Sequence, residues 1–553
     1  MHHRCTVITM KLMLCKWICF VLLYTVNSAV TKQVISISKT GVGRNEYVLN
    51  HGEVNDSIVW GSFDDQIAST GWSHLEIHGN KTATSHDVAY YAGLLEGTLT
   101  AELIDKQYRN TLIGYCSNET DYCGKLSVFL ERNLQFMSRT IGQMEDDPFW
   151  FQVSLYLDQL DGLRDGYKLS KFPSIPDVGF WYFQITGDLE DLEAALGNGN
   201  VKQPAVKSDS CSALIKVLPN NEDLYVGHDT WGEYQAMLRI YKLYDLPYAT
   251  SASNSESVVG SIQAFSSYPG QLYSGDDFYE ISSGLVTLET TNGNYNDELF
   301  QYINPHHVLE GIRTMVANRI ASNGSEWCSQ FSQYNSGTYN NQWMVVDYKQ
   351  IKPGEELGSD TLWALEQLPD SIHHKDVTDV LKSQGYWASY NIPYFDDIFE
   401  KSGFAKLADQ FGSFFTHAGS PRAKIFARDQ DKITDLKSMI HLMRYNDFKH
   451  DPLSACNCTP PYSAENAVCA RSDLNDVNGT YPFFFLSHRF HGGIDTKVTS
   501  YEMFHNKLGC IAISGPTHQQ QPPFQWSTSG YSNIPDGHPD LWQFEPIKIS
   551  WNL

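Results

Sequence analysis

The residues best equipped to act on a substrate lie in one short stretch. Ser208-Asp-Ser-Cys-Ser-Ala-Leu-Ile-Lys-Val-Leu218 passes from loop-like composition into a β-strand that begins at Cys211. The next segment, Leu224 to Trp231, reads as the returning strand of a hairpin, with Pro219-Asn-Asn-Glu-Asp223 as its turn. Centring that turn on Asn221 puts Cys211 ten residues before it and Trp231 ten after. Antiparallel pairing then brings His228-Asp229-Thr230-Trp231 back beside Cys211. A thiol, an imidazole and a carboxylate are expected at one strand end. Of these, cysteine thiolate is the intrinsic nucleophile. If the Ser210–Cys211 bond breaks, the freed α-amine, with a reference pKa of about 7.7 to 8.0, can serve as base for its own thiol. The spacing thus brings a candidate nucleophile beside His228 and Asp229, which could orient it. The plainer reading is a buried or disulfide-bonded cysteine beside a hydrogen-bond cluster that closes the hairpin.

The elements that must position these groups can be read in part. Residues 30 to about 80 alternate apolar and polar in short runs, as in Val34-Ile-Ser-Ile-Ser38 and Ser57-Ile-Val-Trp60, and read as strands. Ser85 is expected to cap a helix from Asp87 to about Arg109, with Gly93 and Gly97 permitting close packing. Leu126 to Ile141 has helical spacing, and Pro148 opens another helix through Leu163. Residues 194–210 carry glycines, a proline and small polar residues without apolar periodicity, and read as an exposed, protease-sensitive linker. Beyond the hairpin, Trp231 to Tyr244 reads as an amphipathic helix. Strands follow at Val258–Ser266, Gln271–Tyr273, Asp277–Ser282 and Leu285–Thr290, then a helix over 306–321 and a buried strand at Asn340–Tyr348. Dense central strands between helical stretches predict stacked sheets covered by helices.

The 553 residues are 42% hydrophobic and 13% aromatic, ample for a large core. A net charge of −24 argues against nucleic acid as a partner. Nineteen histidines would cancel most of that charge if protonated, which suits an acidic compartment. At the N-terminus, Arg4, Lys11 and Lys16 precede an apolar run from Ile18 to Val26 and small residues at 27–29. Residues 1–29 therefore read as a signal peptide, too short in its apolar part to span a bilayer, and the mature chain as exported. Six acceptor triplets, at Asn55, Asn80, Asn118, Asn323, Asn457 and Asn478, agree with export and N-glycosylation. Cys116 and Cys123 enclose a short loop suited to a local disulfide. Cys456, Cys458 and Cys469 are expected to supply another, and Cys328 to be a second free thiol.

Other sites are weaker. His-Glu-x-x-His, a nucleotide-binding loop and an intact Gly-x-Ser-x-Gly are all absent, so no metal or cofactor is expected. Asp473 to Gly479 resembles a calcium loop but has Val477 where an oxygen ligand is needed, and reads as a turn. The adjacent pairs His306-His307 and His373-His374 would point apart on a helix and are read as surface residues.

Residues 210–231 resemble the phospholipase B-like family of N-terminal nucleophile hydrolases. So do Ser266-Ser-Tyr-Pro-Gly270, Asp276-Asp-Phe-Tyr279, Ser336-Gly-Thr-Tyr-Asn-Asn-Gln-Trp343, Asp451-Pro-Leu-Ser454 and Ala470-Arg-Ser-Asp-Leu-Asn475, and the similarity covers nearly all of the mature chain. The resemblance implies an α+β, four-layer αββα fold with antiparallel sheets. It also implies one hydrolase domain made from an N-terminal fragment (30–193) and a C-terminal fragment (211–553), self-cleaved between Ser210 and Cys211. A lysosomal or secreted glycoprotein that hydrolyses acyl bonds of lipids is the implied function, with transient contact to membrane surfaces. On this reading Cys211 forms the acyl thioester. Asn340 or Asn341 offers a side-chain amide to the oxyanion, worth about 3 kcal/mol in comparable sites. Arg428 is a candidate to hold a carboxylate or phosphate, against an ordinary ion pair with a nearby acid. Two alternatives stay open: an amidase acting on N-acyl amines or short peptides, and a catalytically weak lipid-binding glycoprotein.

Overall fold

The computed structural model describes residues 32–117, 120–197, 211–551 and 553. The signal-peptide reading, Asn118 and Ser210 fall outside the described residues, as does the linker from residue 198. Residues 194–196 belong to the helix Leu189–Leu196, which ends at Gly197 in the left-handed conformation.

Nine strands matter for the site. They are β1 (Trp72–Gly79), β2 (Cys211–Val217), β3 (Leu224–Glu233), β4 (Arg239–Asp245), β5 (Leu285–Thr291), β6 (Asn341–Asp347), β7 (Tyr386–Ser389), β8 (Asp495–Thr499) and β9 (Cys510–Ser514). Two large sheets form. The eleven-stranded one contains β1, β4, β5 and β6, and its strands pair antiparallel except for the parallel pair β1–β4. The seven-stranded one runs β7-β2-β3-β8-β9 and ends on the strand Ile547–Ile549, with His491–Gly493 also pairing to β3. Strands from both sides of residues 198–210 thus share the larger sheet.

Burial sorts these strands into layers. Alternate residues of β2 and β3, among them Ala213, Ile215 and Val226, pack with Tyr241, Leu288 and Met344 of the larger sheet. The opposite face of β2, at Leu214, packs against helices α4 (Pro421–Asp429) and α5 (Leu436–Met443). The outer face of the larger sheet is covered by α1 (Ser85–Leu99), α2 (Pro148–Lys168) and α3 (Glu310–Ile320). The order is helices, sheet, sheet, helices, an α+β architecture.

Local chemistry explains the pieces. The cap of α1 is Thr84, whose hydroxyl accepts from Asp87 N, while the Ser85 hydroxyl accepts from Ala249 N. The expected long helix divides at Thr100 into α1 and the helix Ala101–Thr111. α1 and α2 meet through glycines on both. A Cβ on Gly93 would lie 1.9 Å from Gln159 O, and one on Gly162 1.9 Å from Tyr90 O. Only glycine allows that approach.

Other expectations also need correction. Trp231 to Tyr244 is not a helix: β3 continues to Glu233, a short 3₁₀ turn follows, and Arg239–Asp245 is β4. Ile240 and Tyr244 pack toward the helices and Tyr241 and Leu243 toward the second sheet. With both faces buried, the period-two signal is lost and the run imitates a helix. Gln271–Tyr273 is not a strand but part of a buried turn. The adjacent histidines are on no helix: His306-His307 is in a loop, and His373-His374 is in the strand Ser371–Asp376, where neighbours also point apart.

Cys116–Cys123 and Cys456–Cys458 are disulfide-bonded. Cys211, Cys328, Cys469 and Cys510 are free and buried, two more free thiols than expected. Asn55, Asn457 and Asn478 are exposed, whereas Asn80 and Asn323 are half-buried and serve a turn and a helix cap. No helix among the described residues is long and apolar enough to cross a membrane.

Candidate active site

The β2–β3 hairpin turns through Asn220 and Asn221, both at positive φ, a conformation asparagine tolerates better than most residues. Its register places Cys211 opposite Thr230, Ser212 opposite Asp229 and Ala213 opposite His228. Side chains alternate along a strand, so this register decides which groups share a face. Cys211, His228 and Thr230 look into the space between the sheets; Ser212 and Asp229 look toward the helices.

Asp229 is therefore not brought to the thiol. It accepts from Thr496 Oγ1 at 2.5 Å on the far face, and burial pushes its carboxyl well above the usual range. His228 is on the thiol's face. Its Nε2 lies 2.8 Å from the Glu289 carbonyl oxygen, and burial, with Lys497 nearby, holds its pKa well below that of an ordinary imidazole. It is a neutral donor to backbone. The Cys211 thiol is pushed well above its ordinary pKa, first by burial and then by the Glu289 charge, although Trp231 N–H donates to its sulfur.

Two residues missed in the sequence hold Cys211. Ser420 and Pro421 start α4 and place Arg422 in its first turn, pointing at β2. One nitrogen of its guanidinium donates to Cys211 O and, at 3.2 Å, to Ser212 Oγ. The other donates to Tyr390 O at 2.9 Å and Asn391 Oδ1 at 2.7 Å. The guanidinium also lies 4.5 Å from the Trp231 ring centroid. Asn391, at φ +67°, accepts from Cys211 N at 3.4 Å and donates to Thr291 O at 2.7 Å. Ser-Pro-Arg was a legible helix start, but nothing in it indicated a partner some 200 residues away. Arg428, six residues later, forms paired bonds of 2.7 to 3.0 Å with Asp429 and Asp451, which is the ordinary ion pair.

The asparagine pair divides clearly. Asn340 donates to Asp191 Oδ2 at 3.2 Å and Gly337 O at 3.0 Å. Asn341 is fully buried, and neither atom of its amide has a protein partner. It pairs with Thr291, whose carbonyl Asn391 holds. This unused amide lies at the start of β6 in the larger sheet, whereas the thiol lies at the start of β2 in the smaller one.

A buried ionic cluster supports this strand end. Asp276 accepts from Thr230 Oγ1 at 3.0 Å, Ser266 Oγ at 2.8 Å, Lys497 Nζ at 3.0 Å and Arg239. Asp495 completes it, with Lys497 at 2.7 Å and Arg239 at 2.8 Å. All four charged side chains are fully buried. Among the described residues, no group of three or more His, Cys, Asp or Glu side chains is arranged to hold a metal.

A family model described as Phospholipase B matches residues 59–549. The chain belongs to the phospholipase B family. A family relative from Rattus norvegicus, "Putative phospholipase B-like 2", is 48% identical over 91% of this chain and 88% of its own. The Homo sapiens protein of the same name is 47% identical, over 92% and 89%. "Phospholipase B-like protein B" of Dictyostelium discoideum is 37% identical, over 92% and 88%.

Buried acids around the site give this family member a definite pH response. Burial raises Asp188 to about 6, Glu366 to about 7 and Glu280 and Glu310 to about 8. Unfolded carboxyls, near 4, have lost their protons by pH 6.5, whereas folded Glu366, Glu280 and Glu310 still largely hold theirs; Asp188 titrates just below that window. The folded state then binds more protons, so stability falls as pH rises. His78, raised to about 8 mainly by Asp245 and Glu76 against its desolvation, adds stability that is lost in the same direction. Below 6.5 the buried neutral histidines, including His228 and His417 (about 4), act oppositely. The melting temperature is expected to drop between pH 6.5 and pH 8. A flat or rising profile in calorimetry over that window would contradict the protonated assignment.

Proposed function

We propose that the chain is a self-processed cysteine hydrolase with an N-terminal nucleophile, acting on acyl esters of lipids. The observation that carries the reading is the pinning of Cys211, the first residue of β2, with its backbone N held by Asn391 and its backbone O by Arg422. A residue cut free of its predecessor would keep its position through these bonds.

In maturation, the thiol attacks the Ser210 carbonyl carbon and the peptide C–N bond breaks, leaving a thioester and a free Cys211 amine. Water then hydrolyses the thioester and releases Ser210 as a carboxylate. In turnover, the amine takes the thiol proton, sulfur attacks the acyl carbon, and the alcohol leaves with that proton. Water hydrolyses the acyl thioester and regenerates the thiol. The Asn341 amide is the donor proposed for the oxyanion, and neutral His228 shapes the thiol's side of the sheet. Membership of the phospholipase B family supports a lipid substrate. A lysosomal or secreted location and transient contact with a membrane surface belong to the same proposal.

The test is to hold the purified chain at acidic pH, sequence any new N-terminus, and assay the product on phospholipids and N-acyl amides. A fragment beginning at Cys211 that releases fatty acid from phospholipid is expected. An intact chain, or a different first residue, would overturn the maturation step, and release from amides alone would overturn the ester assignment.

A further inference from the structure

On the face of the seven-stranded sheet opposite the Cys211 thiol lies a cavity of about 720 Å³. That is within the roughly 300–1,000 Å³ range of small-molecule sites. Its construction is amphipathic. Ile511 and Ile513 of β9, two residues apart and so on one face, form the floor, and Phe544 and Pro546 of the C-terminal segment close one side. The other side is α5, which presents two stripes. Leu436 and Ile440, one turn apart, continue the apolar wall; Lys437 and His441 form a parallel basic stripe that runs on to Arg444, just past the helix. The basic run spans seven residues, about 10 Å along the axis.

The charge of this lining departs from the rest of the chain. The whole sequence carries −24 with histidines neutral, yet on the same count this lining carries Lys437 and Arg444 against Glu545 alone, with His441 and His518 beside them. Arg444 is 1% exposed and fixed by Gly515 O at 2.9 Å and Pro516 O at 3.2 Å. His518 Nδ1 is buried with no protein hydrogen-bond partner. A preorganised cation and an unpaired ring nitrogen beside an apolar trough suit a ligand with one anionic end and an extended hydrocarbon body.

We propose that this cavity binds a free long-chain carboxylate, a fatty acid, at a site separate from Cys211. The inference stands on the cavity's own lining and holds whether or not Cys211 hydrolyses anything.

Calorimetric titration of the full chain with dodecanoate, below its micelle concentration, tests it. Binding is expected to weaken at least tenfold in Lys437→Glu/His441→Glu, two exposed positions that leave the core intact, and at least tenfold in Ile511→Asp. Dodecanol, of equal length and no charge, should bind at least tenfold more weakly than dodecanoate, and acetate not measurably. Unchanged dodecanoate affinity in both variants would place the ligand elsewhere. Equal binding of dodecanol would remove the anion recognition. Dodecyl phosphate binding more than tenfold tighter than dodecanoate would overturn the carboxylate assignment.

Discussion

Replacing Cys211 by alanine is expected to leave one uncut chain without hydrolytic activity, folded as stably as the parent to within about 1 kcal/mol. The two halves of this expectation have different origins. The thiol is the only group in the proposal that forms a bond to the Ser210 carbonyl and later to the acyl carbon, so its loss stops both reactions. Stability should hardly change, because the bonds that fix residue 211 run through its backbone N and O to Asn391 and Arg422 and survive the substitution. Electrophoresis after acid incubation, an acyl-release assay and urea unfolding together check the claim. A split chain in the alanine variant would mean that another protease, or another residue, cuts there. Cys211→Ser offers a finer comparison: a weaker nucleophile in the same place should process slowly, by the same route, at the same bond.

Asp276→Asn is expected to cost about 3–5 kcal/mol of stability, the scale for removing one partner from a buried ionic set. Asp276 is the hub of the cluster, its fully buried side chain accepting from Thr230, Ser266, Lys497 and Arg239. Without its charge, two buried cations face Asp495 alone. The adjacent cations hold the Asp276 carboxyl below the ordinary carboxylate range despite its burial. Its contribution is therefore present above the unfolded pKa near 4 and is lost only as pH falls through its lower folded value. An acidic compartment leaves it intact. Because Thr230 lies opposite Cys211, the loss should also slow processing. Pairing the change with Lys497→Met should recover part of the stability, since one unmatched cation is then gone. Strict additivity of the two losses in denaturant titrations would refute the coupling.

The hairpin was legible because it is local. Turn chemistry at 219–223 and apolar runs on either side fixed which residues return beside Cys211, and Thr230 is its partner within the predicted span. What that reading lacked was the face. Asp229 and His228 are neighbours in sequence, yet the pleat sends one toward Thr496 and the other toward Glu289. Asn340 and Asn341 separate by the same logic. Strand β4 was misread because burial on both faces removes the alternation by which strands are recognised.

Cys211 keeps its place as the proposed nucleophile, but its surroundings differ from those its sequence neighbours suggested. The chain alone pointed to the family and to the type of chemistry proposed, since a cysteine at a loop-to-strand junction and the family blocks are properties of residue order. Tertiary structure decided the partners. Arg422, Asn391, Asp276 and Lys497 come from elements up to 286 residues away, brought in by sheet pairing and helix docking. Such contacts leave no periodic trace, because a single buried side chain answers to the space around it and not to its neighbours in the chain.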